Sequence, residues 1–297
     1  MTRDPEAIAC LERGVQFLEQ RNFDDAEKEF QRALQIDPKC APAYNNYGLL
    51  KIFKGLSEEA APFFEKAIEH DPRLVTSYMN LGAVKQGENA FEHAEKLYLK
   101  AVQLDPNSPN LYYNLGSLYF HQKKLIQSRS AFEKVTQLDP ENLQAFYFLG
   151  MVYMDLQDLY AATANFQYVL SQVPQFWEVR VALSEIYRRQ GKYHLAISEL
   201  DTVLEVFPDD VETLIRKGLI HIELEQGDKA LSVFEKVIEL DPVNVRAIEI
   251  LAVLYGINNR IEDAIALCEK ALELSPDDQA LIETLEKIKI PPESLEE

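Results

Sequence analysis

The chain has 297 residues, 47% hydrophobic and 27% charged, a balance that supports a packed core and excludes an intrinsically disordered chain. A net charge of −19 and a pI near 4.7 argue against nucleic acid or an anionic membrane as partner, since both select a cationic footprint. No run of 18 or more apolar residues occurs, so no membrane insertion is expected. Met1–Cys10 lacks a basic stretch followed by an apolar one, and a secretory leader is not expected. Cys10, Cys40 and Cys268 are odd in number, far apart and outside any CxxC spacing, which suits a reducing cytoplasm.

A five-residue signature recurs from the N-terminus onward. It first reads Gly14, Ala26, Phe30, Ala33 and Pro38, then Gly48, Ala60, Phe64, Ala67 and Pro72, then Gly82, Ala94, Tyr98, Ala101 and Pro106. The next two copies are Gly116, Ser128, Phe132, Val135, Pro140 and Gly150, Ala162, Phe166, Val169, Pro174. The sixth departs most, with Ser184, Ala196, Leu200, Val203 and Pro208 after Trp177 and Arg180. The last two are Gly218, Ala230, Phe234, Val237, Pro242 and Ala252, Ala264, Cys268, Ala271, Pro276. Eight prolines step by 34 residues in one register, the mark of a repeat array.

Each column has a physical reason. The Gly14-type residue lies on a first helix and the Ala26-type on a second, so two backbones approach closely and the Phe30-type ring fills the space beside them. Breakers such as Asn22, Gly55, Asp158, Gly191, Gly227 and Asn259 mark the turn between the two helices. Proline cannot continue the second helix and ends it. Lys217 stands where other copies carry Leu81, Leu115, Leu149 and Leu183, and is expected to reach a carboxylate or the surface.

The small residue, alanine, aromatic, second small residue and closing proline resemble the tetratricopeptide repeat across residues 7–278. The resemblance implies an all-α, right-handed α-solenoid of eight helix-turn-helix repeats in a single array. Their bounds are 7–40, 41–74, 75–108, 109–142, 143–176, 177–210, 211–244 and 245–278. A capping helix over 279–290 and a tail over 291–297 follow. It also implies that the second, fifth, sixth, ninth, twelfth and thirteenth places of each repeat line a concave groove.

At the sixth place stand Asn46, Asn80 and Asn114, three amides in successive repeats. An amide donates and accepts, so such a ladder can hold an extended chain by its backbone. It is similar to the asparagine ladder of the O-linked N-acetylglucosamine transferases, although Phe148, Ala182, Arg216 and Ile250 end it here. Asn45 and Asn110 add amides beside it, and Met79, Tyr113, Phe120, Tyr147, Phe148 and Met151 are expected to present an apolar peptide-binding surface. Phe53 and Met154 belong with them. Arg188, Arg189, Arg216 and Arg246 are expected at the groove of the last three repeats, where an acidic segment would find guanidinium forks. Without ligand, pairing with nearby glutamates such as Glu185 and Glu212 is expected. The lysine and asparagine pattern that grips chaperone tails is not found.

No phosphate-cradling GxxxxGK[ST] run, GxSxG or HExxH occurs. His70, His93, His121, His194 and His221 fall in different repeats with no metal spacing. Neither catalysis nor any cofactor or metal is expected. The sequence therefore points to a cytoplasmic adaptor that binds an extended or helical protein segment in its groove. A scaffold that self-associates through groove or ends is the alternative, and an enzyme with a cross-repeat site is the remote one.

Overall fold

The computed structural model describes residues 4–289. Ile290, at the end of the expected capping helix, and the expected tail over 291–297 lie outside the described residues. Among the described residues the chain forms 17 α-helices and no strand. They run α1 (Pro5–Glu19), α2 (Phe23–Ile36), α3 (Ala41–Phe53), α4 (Ser57–His70), α5 (Val75–Gly87) and α6 (Phe91–Leu104). Next come α7 (Pro109–His121), α8 (Leu125–Leu138), α9 (Leu143–Asp155), α10 (Leu159–Gln172), α11 (Trp177–Arg189) and α12 (Tyr193–Val206). The last are α13 (Val211–Glu223), α14 (Gly227–Leu240), α15 (Val245–Ile257), α16 (Ile261–Leu274) and α17 (Gln279–Lys289). Packing divides the chain into two compact units, Met1–Asn165 and Phe166–Glu297. Each unit is an all-α stack of helix hairpins in which neighbours in sequence pack on one another.

The hairpin turns share one main-chain design. After α1, Arg21 adopts φ 58° and donates its N–H to Leu18, while Asn22 donates to Phe17. The pattern returns at Gly55, Asn89, Lys123, Gln157, Gly191, Glu225 and Asn259, all at positive φ. These are Schellman closures, which satisfy the last carbonyls of each first helix. Of the turn residues expected from composition, Gly55, Gly191 and Asn259 hold the left-handed position. Asn22, Asp158 and Gly227 do not, because that position falls earlier in their turns.

Inside each hairpin, the small residue is set by the ring opposite. A Cβ built on Gly82 would lie 2.6 Å from Cε1 of Tyr98, and one on Gly116 would lie 2.9 Å from the Phe132 ring. Where the large residue shrinks to Leu200 or Cys268, the small one grows to Ser184 or Ala252. All of these positions are buried. Volume is thus conserved across the contact.

Second helices from α2 to α16 stop two residues before their prolines, as at Ile36 and Pro38. In four of the turns that follow, an aspartate caps the chain. Oδ1 of Asp37, Asp71, Asp105 and Asp139 accepts the N–H two residues on, at 3.0–3.2 Å. The hydroxyls of Tyr44, Tyr78 and Tyr112 donate to the proline carbonyl of the same turn. Arg180 takes that role in α11, donating to the Pro174 carbonyl at 2.9 and 3.1 Å and pairing with Glu199 at 2.7 Å. Lys217 meets Asp201 at 2.6 Å, so its charge is partnered, as expected.

Candidate peptide-binding groove

In the first unit α3 packs on α5, and α5 on α7, so residues of these first helices share one continuous face. Asn45 is buried there, 6% exposed. Its Oδ1 accepts from Ser77 Oγ at 3.1 Å and from Asn80 Nδ2 at 3.0 Å, and its Nδ2 donates to Asn46 Oδ1 at 3.3 Å. Both ends of Asn45 are therefore committed inside the protein. It departs from the expected groove contact and acts as a hub tying α3 to α5. Asn80 gives one N–H to that hub, and Asn46 gives its carbonyl.

Asn114 differs from these. It is half-buried and makes no hydrogen bond to another described residue. It lines a recess of about 510 Å³ with Ala83, Gln86 and Gly87 of α5 and Ser117 and His121 of α7. Gly87 opens the recess, for a side chain built there would meet nothing within 4 Å. Tyr98, buried beneath, donates to Gln86 Oε1 at 3.1 Å and holds that amide in place. Ser117, Gln86, Ala83, Gly87 and His121 were not among the residues expected at the site. They occupy the ninth, twelfth and thirteenth places, which the resemblance already assigns to the groove, so the signal lay in the place and not in the residue type.

The expected aromatics cluster around buried Phe132. Phe148 stacks on it with centroids 5.2 Å apart and rings 6° from parallel. Tyr113, Phe120 and Tyr147 meet Phe148 edge-on at 5.8, 6.0 and 5.4 Å. Burial pushes the Tyr113 hydroxyl above its ordinary pKa. Tyr113, Phe120, Tyr147, Phe148, Met151 and Met154 are all half-buried, so each gives part of its surface to the core and part to the face. The Lys123 ammonium lies 5.3 Å from the Phe120 ring centroid. Met79 is half-buried against Tyr78, Ala101 and Leu111. Asn110 is exposed, and Phe53, 61% exposed, stacks on Phe23.

In the second unit most of the expected arginines are already paired. Arg188 forks onto Glu185 at 2.8 and 2.9 Å and reaches Glu223 at 2.5 Å. Arg189 meets Glu185 at 2.7 Å, and Arg216 meets Glu212 at 2.8 Å. Arg246 is exposed and has no ion-pair partner among the described residues. Hydrogen bonds from Arg188, opposed by burial and joined by Arg189, hold the Glu185 carboxyl down at about 2.

No group of three metal-ligating side chains occurs among the described residues, and none of their helices is long and apolar enough to cross a membrane. Stacked hairpins with polar and aromatic residues on the first-helix face define a helical-repeat protein, a class that generally serves as a scaffold for protein–protein contacts. Tetratricopeptide repeat models match residues 7–40, 41–73, 109–142, 181–231 and 215–279, and a TPR repeat model matches 88–123. The chain belongs to the tetratricopeptide repeat family.

No curated protein matches it in sequence. Among solved structures it is similar to YrrB, described as a TPR protein with an unusual peptide-binding site. That likeness is 27% identical and covers 62% of this chain and 95% of YrrB, with a TM-score of 0.55. A tetratricopeptide repeat protein from Parabacteroides merdae is 17% identical over 84% of this chain and 99% of its own, with a TM-score of 0.58. A chain of the APC/C hetero-tetramer Cut9–Hcn1 is 16% identical over 90% of this chain and 53% of its own, with a TM-score of 0.54. The last two share the fold alone.

Proposed function

We propose that this protein is an adaptor that holds an extended or helical segment of a partner protein on the first-helix face of α3, α5, α7 and α9. The recess beside Asn114 carries the reading. The Asn114 amide lines an open recess and is committed to no other described residue, so its donor and acceptor are available to a ligand. A peptide backbone supplies both the donor and the acceptor it lacks. Ser117, Gln86 and His121 add polar groups in the same recess, and the half-exposed rings of Tyr113 and Tyr147 add apolar contact nearby. The peptide-binding site described for YrrB supports this use of the fold. In the second unit an acidic segment is the expected ligand of Arg246, with Arg188, Arg189 and Arg216 exchanging their glutamates for it. The setting we propose is cytoplasmic.

The test starts with affinity capture from the native cell and mass-spectrometric identification of the retained protein. The captured partner is then titrated against a double variant of the recess, Asn114→Ala with His121→Ala. Asn46 and Asn80 are left intact because each bonds the buried Asn45. Binding should weaken about thirtyfold while the helical melting curve is unchanged, in line with two lost hydrogen bonds of about 1 kcal/mol each. Unchanged affinity removes the first-helix face from the function. Light scattering across concentration addresses self-association: a dimer abolished by the same two substitutions would replace the adaptor reading.

A further inference from the structure

A different surface lies in the second unit, at the turn that joins α12 to α13. Trp177 and Val181 of α11, Val206 at the end of α12 and Phe207 beyond it line an apolar recess of about 740 Å³. Val206 is 52% exposed and Phe207 44% exposed, and Phe207 meets the Trp177 ring edge-on at 5.6 Å. Three carboxylates, Glu178, Asp209 and Asp210, stand on its rim.

The other repeats show that the fold does not ask for this ring. The place of Phe207 is held by Asp37, Asp71, Asp105, Asp139 and Asp241 in five of the other repeats, by Val173 in the fifth and by Ser275 in the eighth. In the first four of those, the carboxylate caps its turn with a hydrogen bond to the main chain. At Phe207 that bond is given up, and the residue is left 44% exposed. A repeat that loses a turn bond and gains an exposed aromatic is not optimised for its own stability.

We propose that this recess docks a partner segment presenting one large apolar side chain next to lysine or arginine. The apolar lining seats the anchor, and the rim supplies the charge complement. Glu178 is exposed with no ion-pair partner among the described residues. Asp210 uses one oxygen to cap Thr213, at 3.2 Å. Asp209 shares Lys236 at 3.3 Å in an exposed pair, which a ligand cation can displace at little cost. The sequence beyond Lys289 brings Glu293, Glu296 and Glu297, and a second copy docking through this same face brings the same acidic rim, so neither complements the site. The proposal does not rest on the recess beside Asn114.

Trp177 is the chain's single tryptophan, so its fluorescence reports on this site alone. The probe is a tryptophan-free, end-blocked hexapeptide of alternating lysine and leucine, titrated into the full chain. A saturable change in Trp177 emission is expected. Phe207→Asn, which supplies the turn-capping oxygen that aspartates give in other repeats and adds no charge, should weaken binding about tenfold or more without lowering the helical melt. Glu178→Gln should weaken it severalfold without touching the lining. Replacing leucine by serine in the probe should cost about tenfold, and replacing lysine by glutamate should abolish binding. No saturable change, equal affinity of Phe207→Asn and wild type, or equal binding of the serine or glutamate probe would each overturn the proposal.

Discussion

Arg21, Lys123, Gln157 and Glu225 hold left-handed backbone that side chains with a Cβ adopt at a cost of about 1–2 kcal/mol. Gly82 is the opposite case, a glycine required by space in a helix where alanine has the better propensity. Exchanging the two situations should move stability in opposite directions. Gln157→Gly should stabilise by about 1 kcal/mol, since Gly55 and Gly191 already hold the equivalent place. Gly82→Ala should destabilise, because overpacking against Tyr98 costs about 1–3 kcal/mol and outweighs the roughly 1 kcal/mol of helix propensity gained. Urea midpoints of the two variants measure both signs. Gly82 was legible in the sequence because its column is chemically uniform. The left-handed column was not, because main-chain bonds close the turn and the residues there share no chemistry.

Within α11, Glu185 is the acceptor for Arg188 and Arg189, and its carboxyl is held at about 2 against an ordinary 4.5. The unfolded chain binds that proton more readily than the folded one. The clamp's stabilisation is therefore complete above about pH 4.5 and is lost as pH falls from there through about 2. Glu185→Gln should flatten the fall of the urea midpoint across that window, and an unaltered slope would show that the clamp contributes nothing. This pairing was legible, because residues three and four apart share a helix face. The partners of Asn45 were not. Ser77 and Asn80 sit on the next first helix, and which amide meets which depends on how α3 and α5 are staggered, a property no column records.

For the molecule as a whole, 49 acidic residues face 30 basic ones. Among the described residues most ion pairs involve exposed groups, as in Lys28 with Asp25 and Arg32 with Glu6, and such pairs contribute little. Screening should relieve the excess repulsion by more than it weakens these pairs. Raising sodium chloride from about 10 to 200 mM should lift the calorimetric melting temperature, and a fall would mean that the pairs dominate. The array itself was legible from one proline column, since each hairpin repeats the same local solution. The recess at Phe207 was not legible, because no sequence column tells that this ring stands 44% exposed instead of in the core. The Schellman turns carry one more consequence. Since backbone alone closes them, heredity is free at eight evenly spaced tips: duplication can copy the hairpin while mutation rewrites the side chain displayed there, so new surface chemistry arises without a new fold.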